Sequence, residues 1–152
     1  NRKYLEKILA EIVERNDIKK DDIAFYFLDV DDFKYINDNY GHLVGDRILA
    51  MIANTLKNNL RDADKAFRWG GDEFALLLFD INNNKKLFKL LERLKLLINE
   101  SFINHKQEKL SVTMSFGATK LSKKDTIESL TKRADNNMYE SKKQGKNQIT
   151  VN

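Results

Sequence analysis

The apolar pattern points to an α/β sandwich of elaborated ferredoxin type, with a mostly antiparallel central sheet flanked by helices. Three observations carry this. Ile23–Leu28 (IAFYFL) is a continuous apolar run, the pattern of a strand buried on both faces. Leu110, Val112, Met114, Phe116 and Ala118 alternate with Ser and Thr, the pattern of a strand with one wet face. Between and around these lie stretches whose apolar residues recur at helical spacing. Strands alternating with helices in one chain build a layered sandwich.

The elements follow in order. Tyr4, Leu5, Ile8, Leu9, Ile12 and Val13 mark an amphipathic opening helix. The strand over 23–29 comes next, then a short helix from Asp32 or Phe33 to about Asn39. Ile48, Leu49, Ile52, Leu56 and Leu60 line one face of a longer helix. Two apolar runs on either side of Gly70-Gly71 predict a hairpin over 65–80, because glycines accept the positive φ of tight turns. Leu87, Leu90, Leu91, Leu94, Leu97 and Ile98 face inward from a helix over 84–101. After the alternating strand, a helix over about 126–143 buries Ile127, Leu130, Ala134 and Met138, and Gln148–Val151 closes the sheet. The order is βααββαβαβ-like behind the opening helix.

Composition narrows the class. A chain of 152 residues with 41% apolar content can fill one core, and it has no proline, repeat or internal linker. With no cysteine it has no disulfide framework, thiolate metal site or cysteine nucleophile, and a reducing cytoplasm is compatible. Two histidines argue against a serine–histidine machine. No apolar stretch nears the roughly 20 residues of a membrane helix. The net charge of +4, spread over abundant Lys and Asn, reads as solubility rather than a nucleic-acid footprint. The alternating strand also shows no exposed aromatics of the kind an RNA-recognition module uses.

Chemistry concentrates in two places. Asp72 and Glu73 follow the two glycines at the hairpin tip, and Asp29 ends the central strand in Asp29-Val30-Asp31-Asp32-Phe33-Lys34. Carboxylates from separate strands converging beside bare backbone suit a hard cation that shares its shell with phosphate oxygens. Taken alone, Asp29 and Asp31 read first as caps of the next helix.

The longer string is more specific. From Leu28 the chain reads LDVDDFKYINDNYGHLVGDRIL, followed by Arg61-x-x-Asp64 and then RWGGDEF. Ser115-Phe116-Gly117, Arg133-Ala134-Asp135, Tyr139, Lys142, Gly145 and Asn147 follow in order. This ordered set resembles the GGDEF family, the diguanylate cyclases, which condense two GTP molecules into cyclic di-GMP. The resemblance covers essentially residues 1–152 and implies the nucleotide-cyclase and polymerase-palm type of fold. Asn1-Arg2 matches the end of the family's opening D-x-L-T-x-L-x-N-R stretch. The resemblance therefore implies a catalytic domain belonging to a longer, cytoplasmic sensor protein, open to membrane tethering through upstream segments, with no membrane contact by the domain itself.

The resemblance also implies roles. Asp29, the Val30 carbonyl and Asp72 hold Mg2+ or Mn2+, and Glu73 is a further metal ligand or base. Asn37 and Asp46 read guanine: a carboxylate accepts from N1–H and N2–H₂, which adenine lacks as a pair. Read from sequence alone, those two are turn and cap residues. The Asp32 and Phe33 amides, Lys34, Lys142 and Lys146 hold phosphates. Position 146 is usually Arg in the family, and lysine replaces its bidentate fork with a point charge. Arg61 and Asp64, with Arg93, match the family's inhibitory product site. One domain holds one GTP, so catalysis implies a homodimer. The alternative reading is a weak or inactive domain acting as a cyclic di-GMP-binding effector.

Overall fold

The computed structural model describes residues 1–152 and contains seven strands and five α-helices. They are α1 (Arg2–Glu14), β1 (Ala24–Val30), α2 (Phe33–Tyr40), α3 (His42–Asn59), β2 (Lys65–Arg68) and β3 (Glu73–Leu78). Then come α4 (Asn84–Glu100), β4 (Ile103–His105), β5 (Glu108–Leu110), β6 (Met114–Lys120), α5 (Ile127–Lys143) and β7 (Ile149–Val151). The main sheet has the order β2-β3-β1-β6-β7, antiparallel except for the parallel β6–β7 pair.

β1 lies at the centre of this sheet, and all seven of its residues are buried. Its side chains alternate between two cores. Tyr26, Leu28 and Val30 pack with Ile48, Ile52 and Leu56 of α3 and Leu87, Leu91 and Leu94 of α4. Phe25 and Phe27 pack with Leu5 and Leu9 of α1 and Leu130, Ala134 and Met138 of α5. A strand covered on both faces reads as an unbroken apolar run.

The last third departs from expectation. In place of one strand over 110–118 there is a small β4–β5 hairpin, and β6 begins only at Met114. The face carrying Ser115, Gly117 and Thr119 is not wet. Ser115 and Thr119 are 0% and 1% exposed. The Ser115 hydroxyl donates to Asp31 at 2.6 Å, and Arg133 of α5 donates to Thr119 Oγ1 at 2.7 Å. The polar residues of this strand therefore pair with protein groups rather than water, as burial of a hydroxyl requires. Gly117 lets α5 lie against the strand: a Cβ there would stand 2.1 Å from Met138 N and 2.2 Å from Ala134 O.

Candidate active site

The end of β1 and the tip of the β2–β3 hairpin meet through backbone register. Asp29 is paired with Glu73 across β1 and β3, and the Val30 amide donates to the Asp72 carbonyl at 3.2 Å. The ladder thus brings three acids from two elements to one end of the sheet. The turn does not use positive φ at either glycine, contrary to expectation. Its carbonyls are tied instead by Arg68, whose Nη2 donates to Gly71 O at 2.7 Å. A Cβ on Gly70 would stand 2.9 Å from Glu73 Oε2, and one on Gly71 would meet nothing. The first glycine makes room for the glutamate, and the second leaves open space beside the acids.

Lys142, near the end of α5, places Nζ 2.6 Å from Asp29 Oδ1. Burial pushes the Asp29 carboxyl above its usual range; Lys142 opposes this, while Asp72 and Asp31 add to it. Glu73 is raised as well, by burial first and then by Asp29, Asp72 and Asp135. Crowded carboxylates repel one another and favour a cation among them. No closed cage of three or more metal-binding side chains forms. Two carboxylates plus a backbone carbonyl is nonetheless a donor set of the kind Mg2+ accepts when substrate oxygens and water complete its shell. Asp29, Asp72 and the Val30 carbonyl could hold such an ion.

Asp31 has a different place. It is buried and accepts from Thr113 Oγ1 and Ser115 Oγ, each at 2.6 Å, and from the Asn147 amide at 2.9 Å. It is an anchor for the loop after α5. Neither Asp29 nor Asp31 caps α2. The cap position is Asp32, in the left-handed region at φ 55° with no side-chain capping bond. Its carboxylate instead meets Lys146 Nζ at 2.6 Å. Phe33 is half-buried against the core, and Lys34 is exposed and unpaired.

Asn37 and Asp46 are not caps either. Asn37 lies inside α2, and Asp46 is the fifth residue of α3, whose cap is Gly41. Asn37 Oδ1 is buried without a partner. Gly45, beside Asp46, permits this packing: a Cβ there would fall 2.0 Å from that oxygen. Asp46 is exposed and lines a cavity of about 800 Å³ between α3 and the hairpin, with Leu49, Arg68 and Phe74. An orphaned acceptor and a free carboxylate on adjoining helices leave hydrogen-bonding capacity for a polar ligand.

A second constellation lies at the opposite end of β3. Arg61 Nε meets Asp64 Oδ2 at 3.1 Å, and the Asp64 side chain is 1% exposed. Asp64 Oδ1 accepts from the Phe79 amide at 3.1 Å, and Arg61 Nη2 donates to Phe79 O at 2.8 Å. Arg93 on α4 donates to Asn59 O at 2.8 Å. All three line a cavity of about 350 Å³, together with Lys86 and Lys89. β3 runs six residues between this cavity and the Asp72 hairpin, roughly 20 Å of extended chain.

The family of diguanylate cyclase GGDEF domains matches residues 1–148. The chain belongs to the GGDEF family. It is 38% identical over 151 residues to diguanylate cyclase DgcP of Pseudomonas aeruginosa, covering 99% of this chain and 22% of that protein. Diguanylate cyclase SiaD of P. aeruginosa, solved in complex with its activator SiaC, superposes with a TM-score of 0.93 at 34% identity. That match covers 100% of this chain and 58% of SiaD. The GGDEF domain of DgcB from Caulobacter crescentus, solved with c-di-GMP, superposes with a TM-score of 0.88 at 26% identity, over 99% of this chain and 90% of that one. The chain spans about a fifth to two fifths of the curated relatives it matches.

The contacts of several residues of this GGDEF domain escaped sequence reading. Thr113 and Ser115 hold Asp31 from strand neighbours that are distant in sequence. Lys86 and Lys89 join the arginine cavity on the helical stripe that carries Arg93, which the 86, 89, 93 spacing could have indicated. Asp135 acts on Glu73 from α5, on the helical face it shares with Lys142, seven residues along. His42, at the start of α3, is exposed and makes no side-chain hydrogen bond.

Proposed function

We propose that this GGDEF domain condenses two GTP molecules into cyclic di-GMP and pyrophosphate. The observation that carries the reading is the β1–β3 register, which puts Asp29 opposite Glu73 and Asp72 beside Val30. In this reading Asp29, Asp72 and the Val30 carbonyl hold Mg2+ or Mn2+. When bound, such an ion would supply Lewis-acid chemistry, lowering the pKa of a ribose 3′-hydroxyl and offsetting charge on the pyrophosphate leaving group. Glu73, with its raised pKa, takes the 3′-hydroxyl proton. The 3′-oxygen forms a bond to the α-phosphorus of the other GTP as the bond to pyrophosphate breaks. The same exchange in the opposite direction closes the ring.

The remaining residues bind and orient. Asp46 accepts from guanine N1–H and N2–H₂, and Asn37 serves the rest of the polar edge. The Asp32 and Phe33 amides at the start of α2, with Lys34, Lys142 and Lys146, hold the triphosphate. Since one domain holds one GTP, two domains face each other with their nucleotides antiparallel, and the active species is a homodimer. In this reading the Arg61–Asp64–Arg93 cavity binds product and inhibits; the similar GGDEF domain of DgcB was solved in complex with c-di-GMP. The domain works in the cytoplasm as part of a longer signalling protein.

The test is turnover of GTP and ATP across protein concentrations. GTP is turned over at a rate rising more steeply than linearly with protein, and ATP is not. Specific activity constant down to nanomolar dilution, without a tight dimer, contradicts the dimer step. That same cationic cavity favours one other reading, a cyclic di-GMP-binding effector. Absence of turnover with cyclic di-GMP bound, and its loss in Arg61→Ala, selects the effector.

A further inference from the structure

We infer that Asn99, on the last turns of α4, is a positioning residue for Lys146. The inference rests on the reading above, in which Lys146 grips a triphosphate. The chain after α5 turns through three successive positive-φ residues: Gly145 at 113°, Lys146 at 63° and Asn147 at 49°. Two of these are not glycine. Such conformations persist only where the surroundings over-determine them.

The restraints are visible. Gly145 N donates to Lys142 O at 3.3 Å and Lys146 N to Ser141 O at 3.1 Å, which ties the turn to its own helix. Asn147 N donates to Asp31 Oδ2 at 2.9 Å, which ties it to the end of β1. The third tether comes from elsewhere in the fold. Asn99 Nδ2 donates to Asn147 Oδ1 at 3.0 Å across 48 residues of sequence. Asn99 Oδ1 is buried and has no partner, so this amide is held by the Asn147 contact alone. The loop so fixed delivers Lys146 Nζ to 2.6 Å from Asp32 Oδ1, over the start of α2 where the phosphate-facing amides lie. Asn99 itself makes no hydrogen bond to the proposed nucleotide-binding residues. Its effect on them runs through Asn147.

Asn99→Leu keeps the volume and removes the donor; Asn99→Gln returns a donor on a longer stem. Affinity is measured with 3′-deoxy-GTP, which lacks the nucleophile and binds without turnover, alongside KM and kcat for GTP and thermal unfolding. Asn99→Leu weakens 3′-deoxy-GTP binding and raises KM about 5- to 10-fold while kcat stays within about twofold, and Asn99→Gln recovers part of the loss. In a Lys146→Ala background Asn99→Leu adds nothing, because both changes remove one interaction. Independent, multiplicative effects of the two substitutions overturn the inference, as does a fall in kcat with binding unchanged. If the parent binds no GTP, it is the functional reading that fails. If Lys146→Ala leaves binding unchanged while Asn99→Leu weakens it, the positioning role fails alone.

Discussion

Asp29 and Glu73 stand opposite each other on adjacent antiparallel strands, and both carboxyls are pushed above their ordinary range. Burial is the first cause for each; Asp72 adds to both shifts, Asp31 to that of Asp29, and Asp29 itself to that of Glu73. A site assembled this way stores charge that the fold alone does not favour. Its natural counterpart is a cation and the electrophile that the cation accompanies.

Replacing Glu73 by Gln separates folding from chemistry. A carboxyl raised in the folded state stabilises the fold most when protonated, and that contribution is lost as pH rises through its folded pKa. At neutral pH the ionised Glu73 is therefore a cost. Glu73→Gln raises the melting temperature by about 1–3 °C at pH 7 and lowers kcat by at least about 100-fold. Thermal scans from the ordinary carboxyl value of 4.5 upward also lose part of the parent's pH dependence in this variant.

Gly45→Ala tests guanine recognition from an indirect position. The added Cβ falls 2.0 Å from Asn37 Oδ1 and 3.1 Å from Phe33 Cζ. The Asn37 side chain must swing away, while the α3 backbone can stay. KM for GTP rises about tenfold, the scale of one polar contact, with unfolding changed little. Steady-state kinetics beside a urea titration checks both halves.

Much of this architecture is legible in the chain. Ile23–Leu28 announces a strand covered on both faces, the Leu and Ile spacing of α3 and α4 announces their inward stripes, and the RWGGDEF string locates the hairpin. What is not legible has physical causes. Ser115 and Thr119 look solvent-facing because alternation reports polarity, and it cannot tell water from Asp31 or Arg133 as the partner. The β4–β5 hairpin has three-residue strands, too short for a period to emerge. The glycines of the hairpin imply positive φ, yet Gly70 serves the space around Glu73 and Gly71 leaves open space beside the acids. Asn99 carries no local signal, since its partner lies 48 residues away.

The Arg133–Asp125 pair predicts an acid limit. Arg133 first, with Ser122 N and Ser129 Oγ, holds the Asp125 carboxyl down to about 2. Both oxygens accept from the guanidinium, at 2.7 and 2.8 Å. A depressed carboxyl contributes stability above its unfolded pKa, and this is lost as pH falls from about 4 toward 2. Asp125→Asn costs about 1–2 kcal/mol at pH 7 in urea unfolding, and the cost shrinks toward pH 3.

Gly117→Ala strikes backbone rather than a movable side chain. Its Cβ would meet Met138 N and Ala134 O at 2.1 and 2.2 Å, so α5 must lift from β6. The loss exceeds about 3 kcal/mol, in the range of severe overpacking. Lys142 moves with the helix, and activity falls with stability.

Most direct for the central claim is identification by mass spectrometry of the products formed from GTP and Mg2+, with Asp72→Ala run beside the parent. Cyclic di-GMP and pyrophosphate from the parent, and neither from Asp72→Ala, is the predicted result. No cyclic di-GMP at any protein concentration, or undiminished product from Asp72→Ala, contradicts it.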